Sequence, residues 1–288
     1  MLTVLAPAKL NLTLEVLSKR RDGFHEIRSV IQTINLSDSL RFQPSRKLTF
    51  KSNLPGWLPE KSLVARATSL LQQVTNCAKG ATIEVNKSIP LLSGLGGDSS
   101  DAAATLLGLN RLWELALPPG ELVELARQLG SDVAFFLDGG TALLEGRGEI
   151  VTPLPPLPYH WVILIIPPVA RLLGKTKQLY DSLSATDYTD GQITQRLVET
   201  LKARRKFTAS LLFNVFEKVA SAQFPGLEAC REQMLKAGAS YVHLAGSGPA
   251  LFSLLTDRTQ AEELHTRLKQ SKLESYLAET LANIEKIG

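Results

Sequence analysis

Apolar and polar residues alternate in short runs through the first half of the chain: TVLAPAKLNLTLEVL, RSVIQTINL, SLRFQP, KLTFKS and ATIEVNKS read as strands separated by turn residues such as RRDG and LSD. The period then lengthens in places. SLVARATSLLQQV repeats apolar residues at helical spacing, 101–115 does the same until PPG breaks it, and 121–129 forms a third helix that Gly130 ends. GTALLEG and EIVTPL read as two closing strands. The stretch VTPLPPLPYH then places four prolines in ten residues, which marks a linker or domain crossing. Beyond it come a strand, WVILIIP, helical spacings over 175–183, 192–203, 212–220 and 227–237, two strands, SYVHLAG and ALFSLLT, flanking the turn AGSGPA, and a helix over 261–270. Strands and helices mixed in this irregular order predict an α+β protein rather than a repeating βα sheet.

Composition narrows the class. A chain of 288 residues exceeds one ordinary small core, and 44% hydrophobic against 21% charged residues excludes disorder. Cys77 and Cys230 are the two cysteines, far apart and outside any CxxC or Cys/His spacing, so neither a disulfide framework nor a structural zinc site is expected. The opening residues lack the basic and apolar regions of a signal peptide, and no apolar run approaches a membrane span, which points to the cytoplasm. A net charge of +4 with only short basic clusters, 19–21 and 202–206, gives no nucleic-acid footprint and suits small polyanionic ligands.

The loop PLLSGLGGDSSD, residues 90–101, lies between a strand-like and a helix-like run. Its glycines let backbone N–H groups approach a ligand, and the helix-starting residues Ser99, Ser100 and Asp101 deliver the chain to a helix N-terminus, where unsatisfied donors attract phosphate. Known phosphate loops do not match. Gly174-Lys175-Thr176 has Val169 where a Walker A loop needs its first glycine, Gly94 and Gly96 are followed by Ser99 where GxGxxG needs its third, and protein-kinase signatures are absent. Asp98 is a fixed negative charge inside the loop. It is expected to turn away from phosphate by acting as the helix N-cap, accepting from the N–H of Ser100 or Asp101.

Ile89-Pro90, Gly94 to Gly97, Ser99-Ser100 and Ala102-Ala103 resemble the phosphate loop of the galactokinase, homoserine kinase, mevalonate kinase and phosphomevalonate kinase (GHMP) superfamily. Pro7-Ala8-Lys9-Leu10-Asn11 is similar to its opening strand signature, and Leu244-Ala245-Gly246-Ser247-Gly248-Pro249 to its third, glycine-rich motif. Arg21 to Ile27, Gly130 to Phe136 and Glu145 to Glu149 further resemble the branch that phosphorylates the 2-hydroxyl of CDP-methylerythritol. The resemblance implies a two-domain α+β GHMP kinase fold: an N-terminal domain, 1–156, like ribosomal protein S5 domain 2, and a ferredoxin-like C-terminal domain, 157–288. It also implies ATP as phosphate donor with Mg²⁺, no protein side chain assigned as metal ligand, no nucleic-acid or membrane partner, and a monomer or weak homodimer.

Residue by residue, the resemblance makes Asp132 the base and Lys9 its cationic partner, although Ser131 and Asp132 are also ordinary helix-capping types. Gly94, Leu95, Gly96, Gly97, Ser99 and Ser100 are expected to donate to the ATP phosphates, with Lys87 near the nucleotide. Phe24 and Tyr180 would clamp the cytosine, His25 would bond its edge, and Asn11 would face the substrate. A solvent-facing strand position is the plainer reading of Lys87, and a core position that of the two aromatics. Leu92 stands where the superfamily usually has glycine, Ser62 replaces an asparagine common near the adenine, and Asp98 replaces a loop glycine.

Overall fold

The computed structural model describes residues 1–170 and 174–284. Its first half is built on an eight-stranded sheet around β3 (His25–Ser45), which pairs antiparallel with β1 (Leu2–Asn11), β2 (Thr13–Lys19), β5 (Gly80–Asn86) and β6 (Thr141–Gly146). β4 (Thr49–Ser52) lies parallel to β5, and β7 (Ile150–Pro153) pairs with β6. The two strands expected on either side of LSD are one strand of 21 residues. Asp38 does not turn the chain: it is fully buried, and its Oδ1 accepts the N–H groups of Ser88 and Ile89 at 2.6 and 2.7 Å. A buried polar side chain satisfied in this way costs the strand little.

Helices α1 (Leu63–Thr75), α2 (Gly97–Leu112) and α3 (Pro119–Leu129) pack on one face of that sheet. Val4, Ile31, Phe42 and Ile83 from the strands bury against Ala103, Leu106 and Leu109 of α2. The side chain of Ser62 caps α1, accepting from Ala65 N at 3.2 Å, which gives that departure a structural role. α2 begins at Gly97, four residues before the expected start, because Gly96 holds the N-cap position at φ 77° and its carbonyl accepts from Ser100 N at 3.0 Å. The proline-rich stretch over 154–160 has no regular structure.

The second half carries a four-stranded antiparallel sheet in the order β10 (His243–Leu244), β11 (Leu251–Leu255), β8 (Trp161–Ile166), β12 (Glu274–Glu279). With strands taken in chain order this is second, third, first, fourth, the ferredoxin-like arrangement. Its helices are α4 (Lys175–Ser182), α5 (Gln192–Lys202), α6 (Ala220–Gln223), α7 (Leu227–Lys236) and α8 (Arg258–Gln270). β12 is not among the expected strands, since the apolar residues of ESYLAE, Tyr276 to Ala278, are consecutive rather than alternating, and it gains its strand character from pairing with the apolar β8.

The helix expected over 212–220 is corrected to a two-residue strand, β9 (Phe213–Asn214), a short 3₁₀ turn and α6. Asn214 explains the change: its amide donates to the carbonyls of Leu244 and Gly246, and its Oδ1 accepts from Phe216 N. β9 pairs parallel with β2, so the second half contributes to the first half's sheet. The halves also share cores, with Ala8, Leu10 and Ile34 packed among Ile166, Leu197 and Phe252. No helix among the described residues is long and apolar enough to cross a membrane.

Candidate active site

A cleft of about 840 Å³ opens between the two halves, where Lys9 and Asn11 on β1, the loop that enters α2 and the glycine turn before β11 converge. The loop is held on both sides. Lys9 N donates to Leu95 O at 2.9 Å, and Ala250 N donates to Ser93 O at 3.1 Å. Gly94 sits at φ 90° against the turn, and a Cβ there would overlap the carbonyl of Ala245, so no larger residue fits. Among the described residues the N–H groups of Gly97, Asp98 and Ser99 meet no protein acceptor, as the first turn of a helix requires when no side chain caps it. They form an anion cradle at the positive end of α2.

The cleft is lined by Gly94, Leu95, Gly96, Gly97, Asp98 and Ser99, but Ser100 is not part of it. Because α2 starts at Gly97, Ser100 lies a full turn inside: its N–H bonds Gly96 O, and its buried hydroxyl lines a separate apolar cavity between β1, α2 and α3. Ser100 therefore stands outside the cleft in which it is expected to donate. Asp98 also departs from expectation. It caps nothing, its side chain is 69% exposed, and its Oδ1 stands 3.5 Å from Lys87 Nζ.

Lys87 borders the cleft but is not solvent-facing. Its side chain is 5% exposed, with Nζ 2.6 Å from Asp38 Oδ2 and 2.7 Å from Asp101 Oδ2. Burial alone would lower its pKa, but the charges of Asp101 and Asp38 outweigh burial and hold it well above the ordinary lysine value. Burial, reinforced by Asp38 and Asp98 and opposed by Lys87, raises Asp101. Asp38 and Asp101 were not singled out by sequence; the LSD triplet reads as a turn, and Asp101 as a helix start.

At the other side of the loop, Lys9 Nζ donates to Asn11 Oδ1 at 2.6 Å and lies 3.5 Å from Asp132 Oδ2. Asn11 Nδ2 continues to Ser29 Oγ at 2.8 Å, so the amide that lines the cleft is fixed from both ends. Asp132 occupies the turn after Gly130, the C-cap of α3, rather than the N-cap of a helix, and its side chain is 33% exposed to the cleft. The pair is therefore reachable by a ligand while Lys9 itself stays nearly buried.

Phe24, His25 and Tyr180 gather at the far end. Phe24 is 51% exposed, with the Arg147 guanidinium 4.6 Å above its ring. The imidazole of His25 stacks on Tyr180 at 4.8 Å and 15°, and Tyr180 meets Phe216 edge-on. Burial and then the charge of Lys19 lower the pKa of His25, so the ring is neutral near pH 7, with one donor and one acceptor. Burial and the nearby Asp132 raise that of Tyr180. Lys175 also lines the cleft. Sequence discounted it as a failed Walker fragment.

Comparison with known proteins gives consistent matches. The family model for the GHMP kinases N terminal domain matches residues 62–140, and that for the GHMP kinases C terminal matches 194–274. A 4-diphosphocytidyl-2-C-methyl-D-erythritol kinase of Dehalococcoides mccartyi is 47% identical over 285 residues, covering 99% of this chain and 100% of its own. The enzyme of the same name from Geobacillus kaustophilus is 38% identical over 276 residues, 93% of each. A crystal structure of a 4-(cytidine 5'-diphospho)-2C-methyl-D-erythritol kinase superposes with a TM-score of 0.81 at 31% identity, covering 96% of this chain and 98% of its own. A homoserine kinase from Cytophaga hutchinsonii shares the fold, with a TM-score of 0.76 at 20% identity over 99% of this chain and 96% of its own.

Proposed function

This chain belongs to the 4-diphosphocytidyl-2-C-methyl-D-erythritol kinase family of GHMP kinases, and we propose that it transfers the γ-phosphoryl group of ATP to the 2-hydroxyl of that CDP-linked alcohol. The observation that carries the residue-level reading is the meeting, in one cleft, of an anion cradle with unclaimed N–H donors and a half-exposed carboxylate beside a nearly buried lysine.

Phosphoryl transfer asks a protein mainly for positioning and charge neutralisation. The N–H groups of Gly97, Asp98 and Ser99 would hold the ATP phosphates, with Gly94 and Gly96 keeping the backbone close to them. Asp132 would take the proton of the attacking hydroxyl as its oxygen forms the new bond to phosphorus and the bond from phosphorus to the ADP oxygen breaks. Lys9, fixed by Asn11, favours the ionised form of Asp132 and opposes the negative charge of the transferring group. Mg²⁺, a hard cation that takes oxygen ligands, would travel on the phosphates and neutralise part of their charge; Ser99 is the loop hydroxyl beside that cradle. Lys87, held by Asp38 and Asp101, would act on the nucleotide by fixing the strand end and the helix start around the loop.

The cytidine would occupy the end of the cleft bounded by Phe24, His25 and Tyr180. Phe24 offers an exposed ring for stacking, and a neutral His25 can both donate to and accept from a base edge. Two free thiols and a net charge of +4 suit a cytoplasmic enzyme acting on small anions, which we read as a monomer or weak homodimer. The test is ADP release from Mg-ATP with CDP-methylerythritol, homoserine or mevalonate offered singly. Release with the first alone is expected; release only with homoserine or mevalonate would overturn the reading.

A further inference from the structure

Lys175 occupies a place where a cation is doubly disfavoured. It is the first residue of α4, at the positive end of that helix, and it is 5% exposed. What compensates is a complete set of acceptors: Nζ donates to Gly248 O, to Ser247 O at 3.1 Å and to Ser247 Oγ at 2.8 Å. Three acceptors match the three donors of an ammonium, whereas a neutral amine has only two. The neighbouring Thr176 Oγ1 donates to the same Ser247 Oγ at 2.9 Å.

The turn so gripped forms the wall of the cleft. A Cβ on Gly246 would lie 3.0 Å from both Lys9 Nζ and Asn11 Oδ1, and Gly94 of the phosphate loop presses on Ala245. α4 carries Tyr180 one helical turn beyond Thr176. Ser247 gains a definite role from this arrangement. Its oxygen has two lone pairs, Lys175 and Thr176 occupy both, and its own hydrogen is left to donate into the cleft that Ser247 lines.

We infer that Lys175 is a positioning residue: its ammonium clamps the start of α4 to the glycine turn 245–249, sets the distance between Tyr180 and Lys9, and turns Ser247 into a hydrogen-bond donor toward the acceptor alcohol or its diphosphate. The inference rests on the substrate reading above. Burial and then the charge of Lys9 pull the Lys175 pKa down to about 7, so the free enzyme holds the clamp cation only marginally. Of the charged groups that line the cleft, Lys9 on β1 is the one that acts on Lys175; Lys177 and Asp181 on its own helix pair with each other at 2.6 Å, Asp132 lies 3.5 Å from Lys9, Lys19, Asp22, Lys87, Asp98 and Arg147 line other parts of the cleft, and the glycine turn brings no charge. An anion entering the cleft raises this pKa, and binding then takes up a proton.

Calorimetric titration of CDP-methylerythritol at pH 7.5, in two buffers of different ionisation heat, measures that proton directly, since the diphosphate diester has no ionisation of its own near neutrality. Net proton uptake on binding is expected. Lys175→Met should diminish the uptake and lower kcat roughly tenfold or more while KM for ATP changes little, because misplacement of the acceptor is felt in the transition state. Ser247→Ala should keep the uptake and lose part of kcat. Binding to the wild type without proton uptake overturns the inference, and so does a Lys175→Met variant with wild-type kcat. If the wild type fails to bind this alcohol, the substrate reading fails instead. The kcat of Lys175→Met with whichever alcohol does release ADP then decides the role of Lys175.

Discussion

Lys87 and Lys9 flank the same phosphate loop, and each meets carboxylate, but on opposite terms. Lys87 is held at 2.6 and 2.7 Å by Asp38 and Asp101, whose side chains are 0% and 4% exposed. Lys9 makes its short bond to a neutral amide, Asn11, and stands back at 3.5 Å from Asp132, whose side chain is 33% exposed. In the first group the lysine is already answered by two carboxylates, and little of its charge remains to offer a ligand. The second group keeps its carboxylate within reach of a substrate while the lysine is fixed. The same residue types thus suit a framework where they are dry and tightly paired, and suit the proposed chemistry where the pair is looser and partly wet.

The strongest way to break this contrast is Asp132→Asn. The amide keeps the shape but cannot take the proton, so kcat should fall by ~10²–10⁴. Stability should change by about 1 kcal/mol or less, as for other partly exposed pairs. Steady-state ADP release and a thermal melt check the two halves. Turnover within a few fold of wild type would remove Asp132 from the chemistry.

Lys87→Met tests the opposite region. It leaves Asp38 and Asp101 facing each other without a cation, and unfolding in urea should show a loss of ~3–5 kcal/mol. Adding Asp101→Asn should recover part of that loss, because one of the two stranded charges disappears. A cost under about 1 kcal/mol would mean that the cluster is not the locked framework that its distances suggest.

How far each region was readable from sequence follows the same line. Lys9, Asn11, Gly94 to Gly97 and Asp132 lie in contiguous, recognisable stretches, and the structure brings all of them to one cleft. The GHMP resemblance and the α+β, ferredoxin-like second half are borne out. The locked group was not legible, because Asp38, Lys87 and Asp101 come from three distant segments and each looks locally ordinary. Ser100 and Asp98 were misjudged for one shared reason. The face that a helical side chain presents depends on where the helix begins, and a start at Gly97 rather than near Asp101 turns Ser100 to the back and leaves Asp98 without a capping role. Lys175 was hidden by context, since its acceptors lie 72 and 73 residues along the chain.

Asp98 lies between the two regions and sharpens the boundary. It borders the locked lysine at 3.5 Å but is 69% exposed and sits among the unclaimed N–H groups of α2. Asp98→Asn should cost about 1 kcal/mol or less, from the lost interaction with the helix dipole and an exposed ion pair. Mg-ATP should bind roughly two- to fivefold tighter, because a charge that repels phosphate is gone. Titration of the variant with Mg-ATP reads this. Loss of binding would make the carboxylate a ligand, through the metal, and would move Asp98 from framework to chemistry.

The smallest expected effect is at Leu92, on the stretch that links Lys87 to the glycine cradle. Leu92 adopts φ 53°, the left-handed conformation that a glycine at this position would take without strain. For an L-residue that conformation costs ~1–2 kcal/mol, which Leu92→Gly would release. Against this stand the extra freedom of glycine in the unfolded chain, ~0.4–1 kcal/mol, and the lost contacts of a half-buried leucine, about 1 kcal/mol. The sum is near zero, so the melting temperature should hardly move and the Mg-ATP affinity should stay within a few fold of wild type. If the two lysine groups are independent, as their geometry indicates, relaxing the link between them changes neither the stability lost by Lys87→Met nor the rate lost by Asp132→Asn. A Leu92→Gly background in which either loss shrinks markedly would show that strain in the loop couples framework to chemistry, and the contrast between the two lysines would then describe one linked device.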